Sequence, residues 1–315
     1  MQLLPRLRCP MCGARLVRTG PGFRCDGCPT AYGDTEEGQL DLRPRSRKNI
    51  ALSFALGEPE PETADQWPLL RAREAPDVDF SGTDVPYHLS RELLSWFPRA
   101  ASAGGLALDL GCGTALHRGV CEQAGFGYVG VDYRGSTAPV LADGHCLPFE
   151  EASFDFVIAI AVLEHVRYPF LFLHEVARVL NPGGIFIGTV AFLEPYHASY
   201  YHHSHLGLLN GLAFAKLEVV ACGPVKSWSA LRALAEMALF PPLPGLFTRL
   251  LVSPLQALHR LWWSFAGAIR AGATDARRRT WTAGAFEFVA RGTERRCLNS
   301  AGPADPSRAH PPARP

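Results

Sequence analysis

The sequence predicts an α/β protein, a parallel doubly wound sheet preceded by a small cysteine-bound module. Three observations carry this. Short apolar runs, among them Leu106–Leu110, Phe154–Ile160 and Ile185–Ala191, alternate with segments of helical period, the pattern of strands joined by crossover helices. The first run enters a glycine turn, Gly111-Cys-Gly113, and the next, Tyr128–Val131, ends in Asp132. Near the N-terminus, Cys9-Pro-Met-Cys12 and Cys25-Asp-Gly-Cys28 form two C-x-x-C pairs.

Residues 1–44 read as a zinc ribbon. Twelve residues, 13 to 24, separate the pairs, and four thiolates from Cys9, Cys12, Cys25 and Cys28 fill a tetrahedral shell. A closed shell cannot activate water, so zinc here is structural and organises a segment too small to own a core. Reduced thiols without metal are the plain alternative. The remaining cysteines, 112, 121, 146, 222 and 297, are scattered singly, which suits a reducing compartment. Residues 1–9 lack the apolar stretch of about 7–15 residues that an export signal requires, so the chain is expected to be cytoplasmic.

Residues 45–82 read as a linker, rich in Pro, Glu and Arg around Glu58-Pro-Glu-Pro-Glu62. Asp84 to Phe97 has helical apolar spacing at Leu89, Leu93 and Trp96 or Phe97 before Pro98, and predicts a helix opening a domain over 83–293. In that domain, absent side chains at Gly111 and Gly113 let backbone N–H groups approach a ligand at a helix N-terminus. Asp132 lies 21 positions after Gly111, close to the spacing of about 20 that puts a strand-end carboxylate on ribose hydroxyls. Leu116 occupies the place of the third glycine of a dinucleotide fingerprint, which argues against NAD and FAD.

Further strands are expected at Phe154–Ile160, Ile185–Ala191, Glu218–Cys222 and Ala285–Ala290. Between the last two, residues 224–283 predict a helical insertion. Phe247, Leu250, Leu251, Leu258, Leu261, Trp262, Phe265 and Ile269 recur at helical spacing, interrupted by Arg249, Arg260 and Arg270. No run reaches the about 18–20 apolar residues needed to cross a bilayer. Two readings follow: a lid buried against the domain, or a helix over 246–269 lying on the inner membrane face with Trp262 and Trp263 at the interface. Residues 294–315, rich in Arg, Ala and Pro, read as a disordered tail. The net charge of +1 argues against a protein that coats nucleic acid through bulk electrostatics.

Leu108-Asp-Leu-Gly-Cys-Gly113 and Gly130-Val-Asp132 resemble the first two motifs of the class I S-adenosylmethionine-dependent methyltransferases. Ala142-Asp-Gly-His-Cys-Leu-Pro-Phe149, Ser153-Phe-Asp-Phe-Val157, Val162-Leu-Glu-His-Val166 and Arg178-Val-Leu-Asn-Pro-Gly-Gly-Ile-Phe186 resemble the subgroup that includes quinone-biosynthesis enzymes. The resemblance implies a Rossmann-like, seven-stranded sheet whose last strand inserts antiparallel beside the fifth. It implies S-adenosylmethionine as cofactor, with its methionine moiety beside Asp109, Gly111 and Gly113; the alternative for Asp109 is that it only caps the turn. Asp132 would take the ribose and Asp143 the adenine amino group, with Ala161 over the cofactor. The ribbon resembles that of tRNA-methyltransferase activator subunits and of rRNA guanine-N1 methyltransferases, so RNA contact is a second reading of its role.

Methyl transfer needs alignment and removal of a proton from the acceptor. Glu164-His165 stands at a strand end, and a near-neutral imidazole accepts a hydroxyl proton, so His165 is the first candidate base; the alternative is that it only orders the helix beginning there. Glu194-Pro-Tyr-His-Ala-Ser-Tyr-Tyr-His-His-Ser-His205 adds His197 and His202 as candidate catalytic residues. Glu164, Tyr196 and Tyr200 are candidate substrate contacts. The same loop also permits a metal at His197, His202, His203 or His205 with Glu194. No Asn-Pro-Pro-Tyr or Asp-Pro-Pro-Tyr run is present, against amino methylation of nucleic acid. The leading expectation is O-methylation of a small or carrier-linked metabolite. An rRNA or tRNA methyltransferase and a non-catalytic binding module are its rivals.

Overall fold

The computed structural model describes residues 7–54, 68–135, 137–269 and 274–293. The ribbon strands are β1 (Leu16–Thr19), β2 (Gly22–Cys25), β3 (Ala31–Asp34) and β4 (Leu40–Asp41), followed by helix α1 (Arg91–Leu94). The main domain continues β5 (Leu106–Leu110), α2 (Arg118–Gln123), β6 (Gly127–Asp132), β7 (Val140–Leu141), β8 (Phe154–Ile160), α3 (Pro169–Val179), β9 (Leu180–Ala191), α4 (His205–Phe214) and β10 (Leu217–Pro224). The insertion holds α5 (Ala230–Leu234), a π-turn at Ala235–Leu239, α6 (Gly245–Ile269) and α7 (Asp275–Trp281), before β11 (Ala285–Gly292).

One sheet of 11 strands runs β1-β2-β3-β4-β7-β6-β5-β8-β9-β11-β10, which corrects the expected seven. The seven strands from β7 to β10 are present, and the ribbon adds four by pairing β4 parallel to β7. The edge of β7 offers unpaired backbone groups, and β4 takes them. As expected, β11 runs antiparallel to β9, Ala285 opposite Ala191. Its neighbour β10 is also antiparallel. Strand β9 begins five residues earlier than Ile185 because Leu180 pairs with Phe154 before the Asn181–Gly184 turn bulges out.

The period of two divides the core. Leu108, Val129, Val157, Phe186 and Phe288 pack in one apolar layer, Ala107, Tyr128, Phe156, Ile187 and Val289 in the other. Leu16, Tyr32, Leu40 and Leu42 of the ribbon belong to the first layer. The ribbon therefore shares the core of the main domain.

The linker and the first helix also differ from expectation. Residues 55–67 of the linker lie outside the described residues. The Leu70 N–H bonds Cys222 O at 3.0 Å and the Cys222 N–H bonds Pro68 O at 2.9 Å, so this stretch pairs with the open edge of β10, and Leu70 and Val78 are buried. The helix expected over 84–97 shrinks to four residues. Ser90 caps it, its hydroxyl accepting from Leu93 N–H at 2.9 Å, while Pro86 forms a turn with Leu89. Leu89, Leu93 and Phe97 are buried all the same. Cys297 and the tail 294–315 lie outside the described residues.

Candidate active site

The C-terminal ends of β5, β6, β7 and β8 open into a cleft of about 730 Å³, at the switch point where the chain, having run outward from β5 through β6 and β7, crosses back to β8. This is where open α/β sheets bind ligands. Gly111, Asp132, Asp143, Ala161, His165 and Tyr200 line it. Four of the six expected cofactor residues, and two of the expected acceptor-side residues, thus share one cleft.

Gly111 has φ +66°, and a Cβ there would lie 2.7 Å from Val162 Cγ2. Glycine is required by both space and conformation. Gly113, at φ +50°, donates its N–H to Asp132 Oδ2 at 3.0 Å, and Arg134 N–H reaches Oδ1 at 3.1 Å. Two main-chain bonds thereby fix the strand-end carboxylate at the cleft. Asp143 Oδ1 accepts from His145 N–H at 3.0 Å and lies 2.6 Å from its Nδ1. Tyr168 N–H donates to His145 Nε2 at 3.2 Å, which leaves the ring proton on Nδ1, toward Asp143. Burial raises the Asp143 carboxyl, but the two His145 bonds outweigh it and hold the pKa below the usual range. The site keeps a carboxylate there.

Asp109 departs from expectation. It is fully buried and does not line the cleft. Its oxygens lie 3.0 Å from His117 Nδ1, and Tyr128 Oη donates to Oδ2 at 2.7 Å. Beyond, His117 Nε2 meets His88 Nε2 at 2.6 Å. Burial first, and then His117, lower the His88 pKa to about 4. The Asp109–His117–His88 chain braces the back of the glycine turn and escaped the sequence reading, since its members lie up to 29 positions apart with no shared pattern.

On the acceptor side, His165, His197 and His202 form a row, with ring centroids 5.2 Å and 5.8 Å apart. His165 is exposed to the cleft. His202 Nε2 lies 3.0 Å from Ser199 Oγ. Tyr200 is held by its N–H to Glu164 O at 2.7 Å and by Arg167 Nη2 donating to its hydroxyl at 3.3 Å. Tyr196 is 79% exposed and lines none of this cleft. The Glu164 side chain, expected to meet substrate, is 1% exposed, with no hydrogen-bond partner for Oε2. Burial pushes its pKa up to about 7. Its role is behind the cleft wall, within 4.8 Å of the ring nitrogens of His165 and His197. Metal-capable geometry therefore falls on Glu164, His165 and His197, and not on the set read from the loop, because His203 turns into a separate apolar groove and His205 starts α4. Tyr133, Arg134, Arg167 and Tyr168 also line the cleft and were not singled out by any motif.

In the ribbon, the Sγ atoms of Cys9, Cys12, Cys25 and Cys28 all lie within 4.8 Å of one another, Cys9–Cys28 at 3.7 Å and Cys12–Cys25 at 3.4 Å. Zn–S bonds of about 2.3 Å at tetrahedral angles put sulfurs about 3.8 Å apart. Gly27 N–H donates to Cys25 Sγ at 3.3 Å. The donor set fits a four-thiolate metal.

Residues 108–188 match the model of a methyltransferase domain. An uncharacterized chloroplastic methyltransferase of Arabidopsis thaliana is 30% identical over 223 residues, 58% of this chain and 60% of that one. The mitochondrial arginine-hydroxylase NDUFAF5 of Mus musculus is 27% identical over 199 residues, 58% of this chain and 52% of that one. A ubiquinone biosynthesis O-methyltransferase of Maricaulis maris is 37% identical over 99 residues, 25% of this chain and 38% of that one. The chain thus spans 60% and 52% of the length of the first two relatives. Among the described residues, no helix is long and apolar enough to cross a membrane. The glycine turn, Asp132 and Asp143 all fall within the stretch, residues 108–188, that is similar to a methyltransferase domain, and the chain carries that stretch on a Rossmann-like sheet.

Proposed function

We propose that this protein methylates an oxygen of a small or carrier-linked metabolite, with S-adenosylmethionine as donor and a structural zinc in the ribbon. The observation that carries the reading is that Asp132, Asp143, His165 and Tyr200 line one cleft. The cofactor supplies a methyl group on a sulfonium, already bonded to a good leaving group. Asp132 is positioned to hold ribose hydroxyls and Asp143 an amino group. His165 takes the acceptor's hydroxyl proton, and Tyr200, clamped by Arg167, orients the acceptor. His197 and His202 extend a polar wall along the same loop.

One relative is named for ubiquinone O-methylation and another for arginine hydroxylation, so the donor cradle alone does not set the chemistry. The histidine row at the acceptor end favours a hydroxyl. RNA methylation is the second reading, resting on the ribbon. The ribbon shares the main core and pairs with β7, which supports a bracing role over a free docking arm.

Calorimetric titration of S-adenosylhomocysteine tests the foundation. Micromolar binding by the zinc-loaded protein, abolished in Asp132→Ala, is expected. A folded wild type that binds nothing would overturn the reading.

A further inference from the structure

Helix α6 is packed inside out. Its inner stripe is Thr248, Val252, Gln256, His259 and Trp263. Gln256 bonds Ser229 Oγ at 2.8 Å and Trp263 Nε1 bonds Thr274 O at 3.0 Å. The opposite face presents Leu250, Leu251, Leu258, Leu261, Trp262 and Phe265, each more than half exposed. The apolar stripe seen in the sequence is therefore not the packing face, and the buried-lid reading is corrected. Ordinary surface helices bury the apolar side, and an exposed apolar patch of this extent marks an interaction surface. The helix is kept regular across Pro254, since the Ser253 hydroxyl donates at 3.1 Å to the Leu250 carbonyl that proline leaves without its helical partner.

Charge identifies what lies against it. From Met237 to Gly284 the sequence holds six arginines and one acid, Asp275, in a chain whose net charge is only +1. Arg249 and Arg260 are exposed on the polar flank of α6, away from the apolar face, and Arg260 lines the same groove as Gln256 and His259. Asp275 is already paired with Arg278 and Arg279, at 2.6 Å and 2.7 Å. We infer that α6 lies on an anionic lipid bilayer, its Leu, Trp and Phe side chains in the acyl boundary and its arginines among the headgroup phosphates.

Two other occupants fit less well. A second copy joined by a two-fold axis would set the same arginine-rich surface against itself with no spare acid. The tail 294–315 has one large aliphatic, Leu298, and the acidic stretch 58–65 has none, so neither offers the apolar side chains such a face would take. The surface is rooted beside the candidate active site. Ser229, the partner of Gln256, follows Trp228, whose indole N–H donates at 2.7 Å to Glu194 of the histidine loop. The inference concerns location and stands apart from methyl transfer.

Flotation of the full zinc-loaded chain with vesicles tests it, using phosphatidylcholine alone and phosphatidylcholine with 40% phosphatidylglycerol, alongside sedimentation of the free protein. Partition onto the anionic vesicles is expected to exceed that onto neutral ones at least tenfold and to weaken as salt screens the arginines. Leu258→Glu and Trp262→Glu, both at exposed positions, are expected to lower it at least tenfold with an unchanged melting temperature, and Arg260→Ala several-fold. Equal partition of wild type and Leu258→Glu, or no partition, overturns the inference. So does a concentration-dependent dimer that Trp262→Glu dissolves while vesicle binding stays at background.

Discussion

The Gln39 side chain of the ribbon donates through Nε2 to Ala138 O at 2.7 Å, and to Gly135 O at the same distance. These carbonyls terminate the loop that carries Tyr133 and Arg134 along the cleft. Arg43 Nη1 adds a bond to Tyr133 O at 3.3 Å, while Asp41 holds Arg43 at 2.9 Å. The four-cysteine module thus grips the wall of the cleft.

Gln39→Ala is expected to weaken S-adenosylhomocysteine binding. Leaving the buried Ala138 carbonyl unpaired costs about 1–3 kcal/mol; the part felt at the cleft is about 1–2 kcal/mol, a factor of about 5–30 in affinity. Stripping zinc with a chelator is expected to act in the same direction. Calorimetry on the substituted and the stripped protein checks this, and an unchanged dissociation constant in Gln39→Ala would show the ribbon and cleft to be uncoupled.

Glu287 is 1% exposed, and burial raises its pKa to about 7, Ser90 Oγ donating to it at 2.6 Å. The folded carboxyl keeps its proton up to about 7, while the unfolded one releases it near 4.3. Stability from this group is full below the unfolded value and is lost as pH rises toward 7, at about 1.4 kcal/mol per unit. Glu287→Gln is therefore expected to be near neutral at pH 5 and to stabilise by about 1–3 kcal/mol at pH 8. Urea denaturation at the two values decides it; equal effects at both would refute the assignment.

His165→Gln separates acceptor chemistry from cofactor binding. The side chain lines the cleft and touches neither Asp132 nor Asp143, so affinity for S-adenosylhomocysteine is expected to hold within about twofold. Turnover on an acceptor should fall by about 10²–10⁴, the usual contribution of a positioned base. Rates of homocysteine-product release measured against pH check the role. A variant that keeps wild-type turnover and pH profile assigns His165 to ordering the turn.

Local pattern made much of the site legible. Gly111, Asp132 and Asp143 act at the ends of strands, and a strand, its turn and its terminal acid are neighbours in the chain, so spacing reports them. The cysteine pairs were legible for the same reason. Asp109 shows where that logic stops. Its motif position is as clear as that of Asp132, but side chains alternate across a strand, and the face it takes delivers it to His117 and Tyr128. Glu164 likewise follows Leu163 onto a buried turn, although its neighbour His165 reaches the cleft.

By itself the sequence determined the alternation of strands and helices, the antiparallel last strand through family resemblance, the glycine turn and the four-thiolate set, all consequences of local period and short spacing. Only the tertiary structure decided that the ribbon extends the sheet through β4, that residues 68–70 pair with the edge of β10 at Cys222, and that the apolar side of α6 faces outward. These are choices between surfaces distant in sequence. Which edge is open, and which side of a helix meets polar partners, is settled only when the elements are assembled.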